Sequence, residues 1–190
     1  MRPRDEQKEL RIMEAALDLI FSEGIAGLKM SALAKNAGMA AGTLYIYFES
    51  KEELLSRMYL HYNRQMTAEV RGKIGADGDY QERIKQMWFN YLHFVSSYPR
   101  ENVFLEQFYR SPFATLTILE QNNELLDPFR QLINEGQRAG MLTNGDPELI
   151  LAHLCGAVQG VVSWTYDGSY TLDAEHKEQA WLLASKSLFN

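Results

Sequence analysis

The sequence of 190 residues has one cysteine, four histidines and no long uninterrupted hydrophobic run. A single thiol, Cys155, cannot form an internal disulfide and is typical of a reducing compartment. The histidines and the thiol lack the spacing of metal ligands, so we expect neither a metal nor a cofactor. The apolar segment 149–162 is interrupted by His153 and Gln159, and the charged start of the chain has no apolar segment. We therefore predict a cytoplasmic protein with no signal peptide and no contact with a membrane.

An excess of basic charge is also missing. The 19 Lys and Arg residues are outnumbered by 25 Asp and Glu residues, which gives a formal net charge of −6. Residues 1–51 contain seven residues of each sign, so the negative charge lies entirely in the remainder. This balance argues against a broad phosphate-binding face. Binding to nucleic acid would depend on local groups, which include the basic side chains of the first residues: Arg2, Arg4, Lys8 and Arg11.

Residues 28–51 predict two short helices around a tight turn, followed by the start of a third helix. Residues 31–37 are rich in alanine, and with Met30 they repeat apolar side chains at the spacing of one buried helical face. Gly38 ends this helix, because glycine enters the left-handed conformation without a steric cost. The pattern is that of a helix-turn-helix.

The second helix of this motif is predicted over residues 41–48, with Leu44 and Phe48 directed inward. Its other side chains then present hydroxyl groups and one ammonium group on an outer surface. The residues expected to face away from the core are Thr43, Tyr45, Tyr47 and Lys51. A helix of this kind fits the major groove of DNA.

The same stretch resembles the TetR family of bacterial transcriptional regulators. The residues that carry the resemblance are Ala34, Ala37, Gly38, Gly42, Thr43, Leu44, Tyr45, Tyr47, Phe48, Ser50, Lys51 and Glu52. The resemblance implies an N-terminal three-helix DNA-binding domain, placed at residues 1–50, and a C-terminal helical domain for effector binding and dimerisation, placed at 51–190. It also implies a set of DNA contacts: Lys29, Ser31, Ala41, Gly42, Thr43, Tyr45, Tyr47 and Lys51.

Three positions depart from the family pattern. Family members commonly have Thr at the position of Lys29, and Ser followed by a polar or basic residue at Ala40 and Ala41. An alanine in place of a capping serine weakens the start of a helix by about 1 kcal/mol. Ala41 can read a base only by apolar contact, for example with a thymine methyl group.

Caps and breakers predict an all-α chain of about nine helices. The first helix, over residues 5–23, ends at Gly24, and Ser50 with Glu53 forms a capping box at the start of the fourth. A Gly-rich loop, 72–79, follows that helix. The later helices are predicted at 79–97, 100–110, 115–140 with a kink or restart at Pro128, from 146 onward, and from about 173 to the end.

Aromatic side chains are abundant in the fifth to seventh helices, and two interpretations stay open. The rings can simply form the core, or they can surround a cavity for a small apolar or aromatic effector with a few polar contacts. The residues predicted for the second case are Tyr62, Met66, Trp88, Tyr91, His93, Phe104, Gln107, Phe108 and Trp164.

A stripe of small residues marks the penultimate helix. Ala152, Gly156 and Gly160 stand four residues apart, and an interior glycine costs about 1 kcal/mol relative to alanine. Close approach of another helix would compensate this cost. In TetR-like proteins the last two helices pair with their copies, which implies a dimer interface formed by this stripe with Val158, Trp181 and Leu188.

The resemblance implies a ligand-responsive regulator, most often a repressor, in which a homodimer binds a palindromic operator in double-stranded DNA. Two alternatives stay open: a DNA-bound regulator or activator without an effector, and an enzyme or small-molecule carrier with a vestigial head. Catalysis is not expected, because the side chains of His153 and Cys155 point about 160–200° apart on a helix.

Overall fold

Ten α-helices form the regular secondary structure of the residues that the structure describes, with one 3₁₀ turn and an isolated bridge between Leu142 and Phe189. The structure is a computed structural model and describes residues 6–72, 74, 78–166 and 168–189. Arg2 and Arg4, which were predicted to contact DNA, and residues 73 and 75–77 of the predicted loop lie outside this description. The helices are α1 (Glu6–Gly27), α2 (Met30–Asn36), α3 (Ala41–Tyr47), α4 (Lys51–Arg71), α5 (Tyr80–Ser97), α6 (Pro99–Tyr109), α7 (Leu116–Asn123), α8 (Asp127–Arg138), α9 (Pro147–Ser163) and α10 (Ala174–Ser185).

The all-α prediction is confirmed, and one difference from the predicted helix count has a clear local cause. The predicted seventh helix at 115–140 restarts next to Pro128, which is one of the two predicted alternatives, and a 3₁₀ turn at Glu124–Leu126 separates the resulting α7 and α8. Pro128 occupies the first turn of α8, where its missing N–H is tolerated. No helix in the described part of the chain is long and apolar enough to cross a membrane.

The chain forms two compact units and passes from one to the other within α4, between α5 and α6, and within α7. Unit 1 contains residues 1–64 and 98–122, and unit 2 contains residues 65–97 and 123–190. The segment with α6 therefore belongs to the same unit as the helix-turn-helix. The division of function at residue 50 stays a prediction.

The core of unit 1 is apolar and is formed by the inward faces of α1 to α4 and α6. Its fully buried side chains include Ile12, Leu17, Ile20, Leu33, Leu44, Phe48, Leu54, Phe104 and Phe108. α1 follows the predicted amphipathic pattern, and its regular part ends at Gly24, which has φ 76°. The remaining turn, Ile25 to Gly27, leads into α2.

The turn between α2 and α3 has the conformation that the sequence predicts. Gly38 has φ 66°, its N–H donates to the carbonyl of Lys35, and the N–H of Met39 donates to the carbonyl of Ala34. These two bonds define a Schellman motif, which satisfies the last carbonyl groups of α2. The motif sets the direction in which α3 leaves the turn.

The predicted caps of α4, α5 and α9 are present, and α10 has a cap as well. Ser50 Oγ accepts from the N–H of Glu53 at 3.1 Å, while the Glu53 carboxylate accepts from the N–H of Glu49 at 2.6 Å. Asp79, Asp146 and Asp173 each accept from a backbone N–H in the first turn of the helix that follows. Because each carboxylate satisfies a donor that the helix leaves free, these starts are fixed by local sequence.

Unit 2 packs α5, α8, α9 and α10 around a second apolar core. α5 and α8 approach closely at their crossing, where Tyr80 Oη donates to the carbonyl of Leu132 at 3.0 Å. A Cβ atom added to Gly136 would lie 2.0 Å from that hydroxyl oxygen. Glycine at this position is therefore required by packing.

Candidate nucleic-acid interface

α3 presents an outer face that differs from the predicted one. Successive residues of an α-helix are rotated by about 100°, so Thr43 and Tyr45 cannot share a face. Leu44 and Tyr47 are buried, and Tyr47 is only 8% exposed. The prediction that Tyr47 faces away from the core is wrong, because it lies three residues after Leu44 on the same inward side.

The outward side of α3 is formed by Gly42 and Ile46, one turn apart, with Tyr45 beside them. Tyr45 is 50% exposed and Ile46 is 66% exposed, and Ala41 and Gly42 are also exposed. Ile46 was missed in the sequence analysis. A helical spacing of three and four residues, which places Tyr45 and Ile46 on the same side as Gly42, would have found it.

The other predicted DNA contacts divide by exposure. Lys29 and Ser31 are exposed at the start of α2, whereas Thr43 and Lys51 are half-buried. Neither α2 nor α3 has a side-chain cap, since Lys29 and Ala40 occupy the N-cap positions without capping hydrogen bonds. The loss of the cap predicted at Ala40 is therefore confirmed. Lys35, which is exposed on α2, adds a cation that the predicted set did not include.

The first turns of α4 hold the end of α3. Arg57 donates to the carbonyl of Tyr47 at 3.2 Å, and its guanidinium carbon lies 4.9 Å from the centre of the Phe48 ring. Arg57 also forms an ion pair with Glu9 of α1. One arginine thus joins α4 to both α1 and the C-terminal end of the recognition helix, and it satisfies a carbonyl that the helix leaves free.

The backbone of Ile25 is held on both sides at the break in α1. Its N–H donates to Oε1 of Gln107 at 2.8 Å, and its carbonyl accepts from Nζ of Lys51 at 2.7 Å. Lys51 Nζ also lies 5.7 Å from the centre of the Phe113 ring. Lys51 was predicted to contact DNA, and Gln107 was predicted to contact an effector. In the structure both side chains form hydrogen bonds to the backbone of Ile25.

Charged groups join α1 to the start of α6 inside unit 1. Arg100 forms ion pairs with Asp18 at 2.5 Å and Glu14 at 3.1 Å. The hydrogen bond to Asp18 raises the pKa of Arg100. Tyr62 Oη lies 3.5 Å from Glu14 Oε1, and burial together with the Glu14 charge raises the pKa of Tyr62. These contacts fix α6 against α1.

The predicted effector residues are divided between the units. In unit 1, Tyr62, Phe104 and Phe108 are buried and contact one another, with ring centres about 6 Å apart. Tyr59 stacks on Phe108 at 4.4 Å. In this unit the rings form core, which agrees with the first of the two interpretations of the aromatic cluster.

The remaining predicted effector residues lie in unit 2 with different exposures. Trp88 is 1% exposed, and its Nε1 has no hydrogen-bond partner among the described residues. Met66 is half-buried, and Tyr91 Oη accepts from Gln159 Nε2 at 2.8 Å. His93 is exposed beside Ser97, and Trp164 is exposed, so the prediction of an enclosed position is wrong for these two.

The predicted dimer residues also separate into two groups. Ala152, Gly156 and Gly160 are exposed on one side of α9, as their spacing predicts. Val158, Trp181 and Leu188 are buried in unit 2, so their predicted exposed position is wrong. Val158 is rotated by about 200° from Gly156, and Trp181 faces Trp88 with ring centres 5.7 Å apart.

An apolar groove follows the exposed side of α9 and α10. It has a volume of about 550 Å³ and is lined by Gly156, Gly160, Trp164, Tyr170, His176 and Leu183, among others. No added Cβ atom at Gly156 or Gly160 would meet another atom within 4 Å. These glycines are therefore not required by packing within the described chain.

His153 has a structural contact in unit 2. His153 Nε2 lies 2.9 Å from the carbonyl of Ala184, which connects α9 to α10. Cys155 is exposed. Among the described residues no group of three or more His, Cys, Asp or Glu side chains has the arrangement of a metal site.

A short exposed helix, held at its end by α4 and preceded by a tight glycine turn, defines a helix-turn-helix DNA-binding protein. Residues 12–58 match bacterial regulatory proteins of the tetR family, and residues 79–180 match the tetracyclin repressor-like C-terminal domain. The chain belongs to the TetR family. It is therefore a transcriptional regulator with a helix-turn-helix DNA-binding domain.

Individual relatives agree with this assignment. An uncharacterized HTH-type transcriptional regulator of Haemophilus influenzae is 29% identical over 140 residues, covering 74% of this chain and 73% of the relative. A fatty acid metabolism regulator protein of Bacillus subtilis is 24% identical over 185 residues, 94% of each chain. The crystal structure of a TetR family transcription regulator from Marinobacter aquaeolei VT8 has a TM-score of 0.90, 23% identity and full coverage of both chains.

Proposed function

We propose that this regulator is a homodimeric repressor that binds a palindromic operator and is released by a small apolar or aromatic effector. Each of two copies of α3 would enter the major groove on one face of the duplex, about 34–36 Å apart. The effector would bind in the helical body of each protomer.

The exposed side of α9 and α10 supports dimerisation. Four large apolar side chains on these helices or at the C-cap of α9 are more than 60% exposed: Leu149, Trp164, Leu182 and Leu183. Large side chains grouped in this way are uncommon on the surface of a monomer. Gly156 and Gly160 have open space above them, so a helix of a second copy can approach the α9 backbone closely. A two-fold axis through this surface would cover it in both copies.

The indole N–H of Trp88, unpaired among the described residues, is the observation that most favours a bound effector. A buried donor without a partner is destabilising, and most such groups in folded proteins are hydrogen-bonded. The indole N–H of Trp88 has no partner in the described part of the chain, although its ring is packed against Trp181. An effector with an apolar body and one carbonyl or carboxylate oxygen would supply the missing acceptor. A fatty acid has this chemical form, and one relative is named a fatty acid metabolism regulator protein.

Transmission within unit 1 would use the contacts on Ile25. α6 and α4 each place one polar side chain on this residue, which lies five residues before the start of α2. A shift of α4 or α6 on effector binding would break or strain these bonds and tilt α2 and α3. Binding of effector and of operator would then weaken each other by the same factor, as linkage requires.

Titration of the protein–operator complex tests the proposal. The duplex would come from the region upstream of the coding sequence, and binding would be measured by electrophoretic shift at low and moderate salt. Medium-chain and long-chain fatty acids and aromatic carboxylates would be added as effectors. We expect at least one of them to lower operator affinity tenfold or more in the wild-type protein. Trp88→Phe should need more of that compound for the same effect, because it keeps the ring and loses the donor.

Two results would contradict parts of the proposal. Compounds that bind the body without changing operator affinity would remove the ligand switch. An effector response that is identical in Trp88→Phe would remove the role of the indole N–H. The tight packing of Tyr62, Phe104 and Phe108 in unit 1 favours the alternative of an effector-independent regulator in either case.

A further inference from the structure

Ile46 stands out on the recognition helix because it is a large apolar side chain directed into solvent. It is 66% exposed, while the neighbouring Leu44 and Tyr47 are buried. Water contact at an isoleucine is unfavourable unless a partner removes that surface from solvent.

The side chains around Ile46 restrict what α3 can read in a major groove. Direct readout of guanine uses Arg or Lys, of adenine Asn or Gln, and of cytosine Asp or Glu. α3 has the sequence AGTLYIY and contains none of these six residue types. Its only polar side chains are the half-buried Thr43 and the two tyrosines, of which Tyr47 is buried. The outward surface is otherwise made of Ala41, Gly42 and Ile46.

Gly42 lets this surface come close to its partner. A Cβ atom built on Gly42 would meet no other atom within 4 Å, so packing inside the chain does not require glycine there. Gly42 and Ile46 lie one turn apart on the same side of the helix. The backbone at Gly42 can therefore approach the groove floor while the branched side chain of Ile46 extends beside it.

We propose that Ile46 is a specificity-determining residue that recognises the C5 methyl group of thymine in each operator half-site. Thymine is the one standard base that offers an apolar group in the major groove. An isoleucine packed on that methyl group removes both surfaces from water and makes no hydrogen bond. The inference rests on the proposed DNA-binding role of α3 and adds the chemical feature that α3 reads.

Replacing thymine by deoxyuridine removes this methyl group and leaves base pairing unchanged. The operator would be selected from random duplexes with the wild-type protein at low salt, and each thymine would then be replaced in turn. We expect at least one position per half-site where uracil weakens wild-type binding about fourfold, the effect of one buried methyl-sized group. Ile46→Ala should bind the thymine operator about tenfold more weakly and should lose the uracil effect at the same position.

Ile46→Ala is expected to fold normally, because the side chain is exposed, and circular dichroism would verify this. Leu116→Ala, which truncates an even more exposed apolar side chain on α7, is the control and should retain the uracil effect. Wild-type binding that tolerates uracil at every thymine would overturn the inference, as would an undiminished uracil effect in Ile46→Ala. Failure of the wild-type protein to bind any duplex would instead overturn the DNA-binding role as well, so the two failures are distinguishable.

Discussion

Gln107 accepts a hydrogen bond from the backbone N–H of Ile25 at 2.8 Å, across 82 positions of the chain. The bond joins α6 to the turn that carries α1 into the helix-turn-helix. Gly24 is part of the same contact, because a Cβ atom there would lie 3.4 Å from Gln107 Oε1 and the backbone has φ 76°. The side chain from α6 therefore fixes the entrance to the DNA-binding helices.

Gln107→Leu keeps the volume of the side chain and removes the acceptor. The N–H of Ile25 then loses its partner in a half-buried place, and we expect the free energy of unfolding to fall by about 1 kcal/mol. Operator affinity should fall as well, because the entrance to α2 is less strictly positioned. Chemical denaturation and an electrophoretic shift assay measure the two effects.

Gln107→Glu is the matched control, since its carboxylate still offers an acceptor to the Ile25 N–H. It should retain more stability and more operator affinity than the leucine variant. If Gln107→Leu instead has normal stability and operator affinity but a lower affinity for the effector, Gln107 contacts the effector, as the sequence analysis predicted.

Gly42→Ala should affect protein stability and operator affinity in opposite ways. Alanine has the higher helix propensity and its methyl group meets open space, so we expect the protein to become more stable by up to about 1 kcal/mol. The same methyl group would hold α3 away from the groove and weaken operator binding severalfold. In this one variant the unfolding temperature should therefore rise, while the operator affinity measured by titration should fall.

Gly136→Ala should behave in the opposite way. Its Cβ atom would overlap the Tyr80 hydroxyl, so α5 and α8 must move apart at a cost of about 1–3 kcal/mol. Unfolding by urea would measure that loss. A Gly136→Ala protein as stable as wild type would show that the α5–α8 crossing can relax without cost.

Leu183→Asp tests the surface proposed for dimerisation. Leu183 is 78% exposed on α10, so the charge should leave the fold of the protomer intact and destabilise a dimer in which this surface is buried. Sedimentation should show a shift from dimer to monomer. Leu116→Asp introduces the same charge at a site that is 77% exposed in unit 1 and should leave the dimer unchanged. Equal sedimentation of both variants and the wild type would place the interface elsewhere.

The sequence alone predicted those parts of the fold that depend on neighbours in the chain. Gly38, Ser50, Asp146 and Asp173 determine a turn or a helix start through groups within five residues, and each has the expected conformation. Exposed and buried sides were predicted less well. Tyr47 and Tyr45 were both predicted to face away from the core, although two residues span about 200° on a helix and place side chains on opposite sides.

Long-range partners of polar side chains could not be predicted from the sequence. Lys51 and Gln107 have residue types that suit a phosphate or an effector, and only the fold shows that both bind Ile25. In the same way, Trp181 has a spacing that suits an interface, but its ring faces Trp88 in the core. Spacing along a helix identifies the residues that share one side of it. It does not specify whether that side is buried by the rest of the chain.

The spacing of the operator tests the central claim most directly, namely that two protomers present α3 to successive major grooves. Affinity would be measured for a duplex with two half-sites one helical turn apart, for the same duplex with about five extra base pairs between them, and for a single half-site. The half-turn insertion places the second half-site on the opposite side of the DNA, so we predict that affinity falls to the level of the single half-site. Equal affinity for the original and the extended duplex would contradict the paired arrangement.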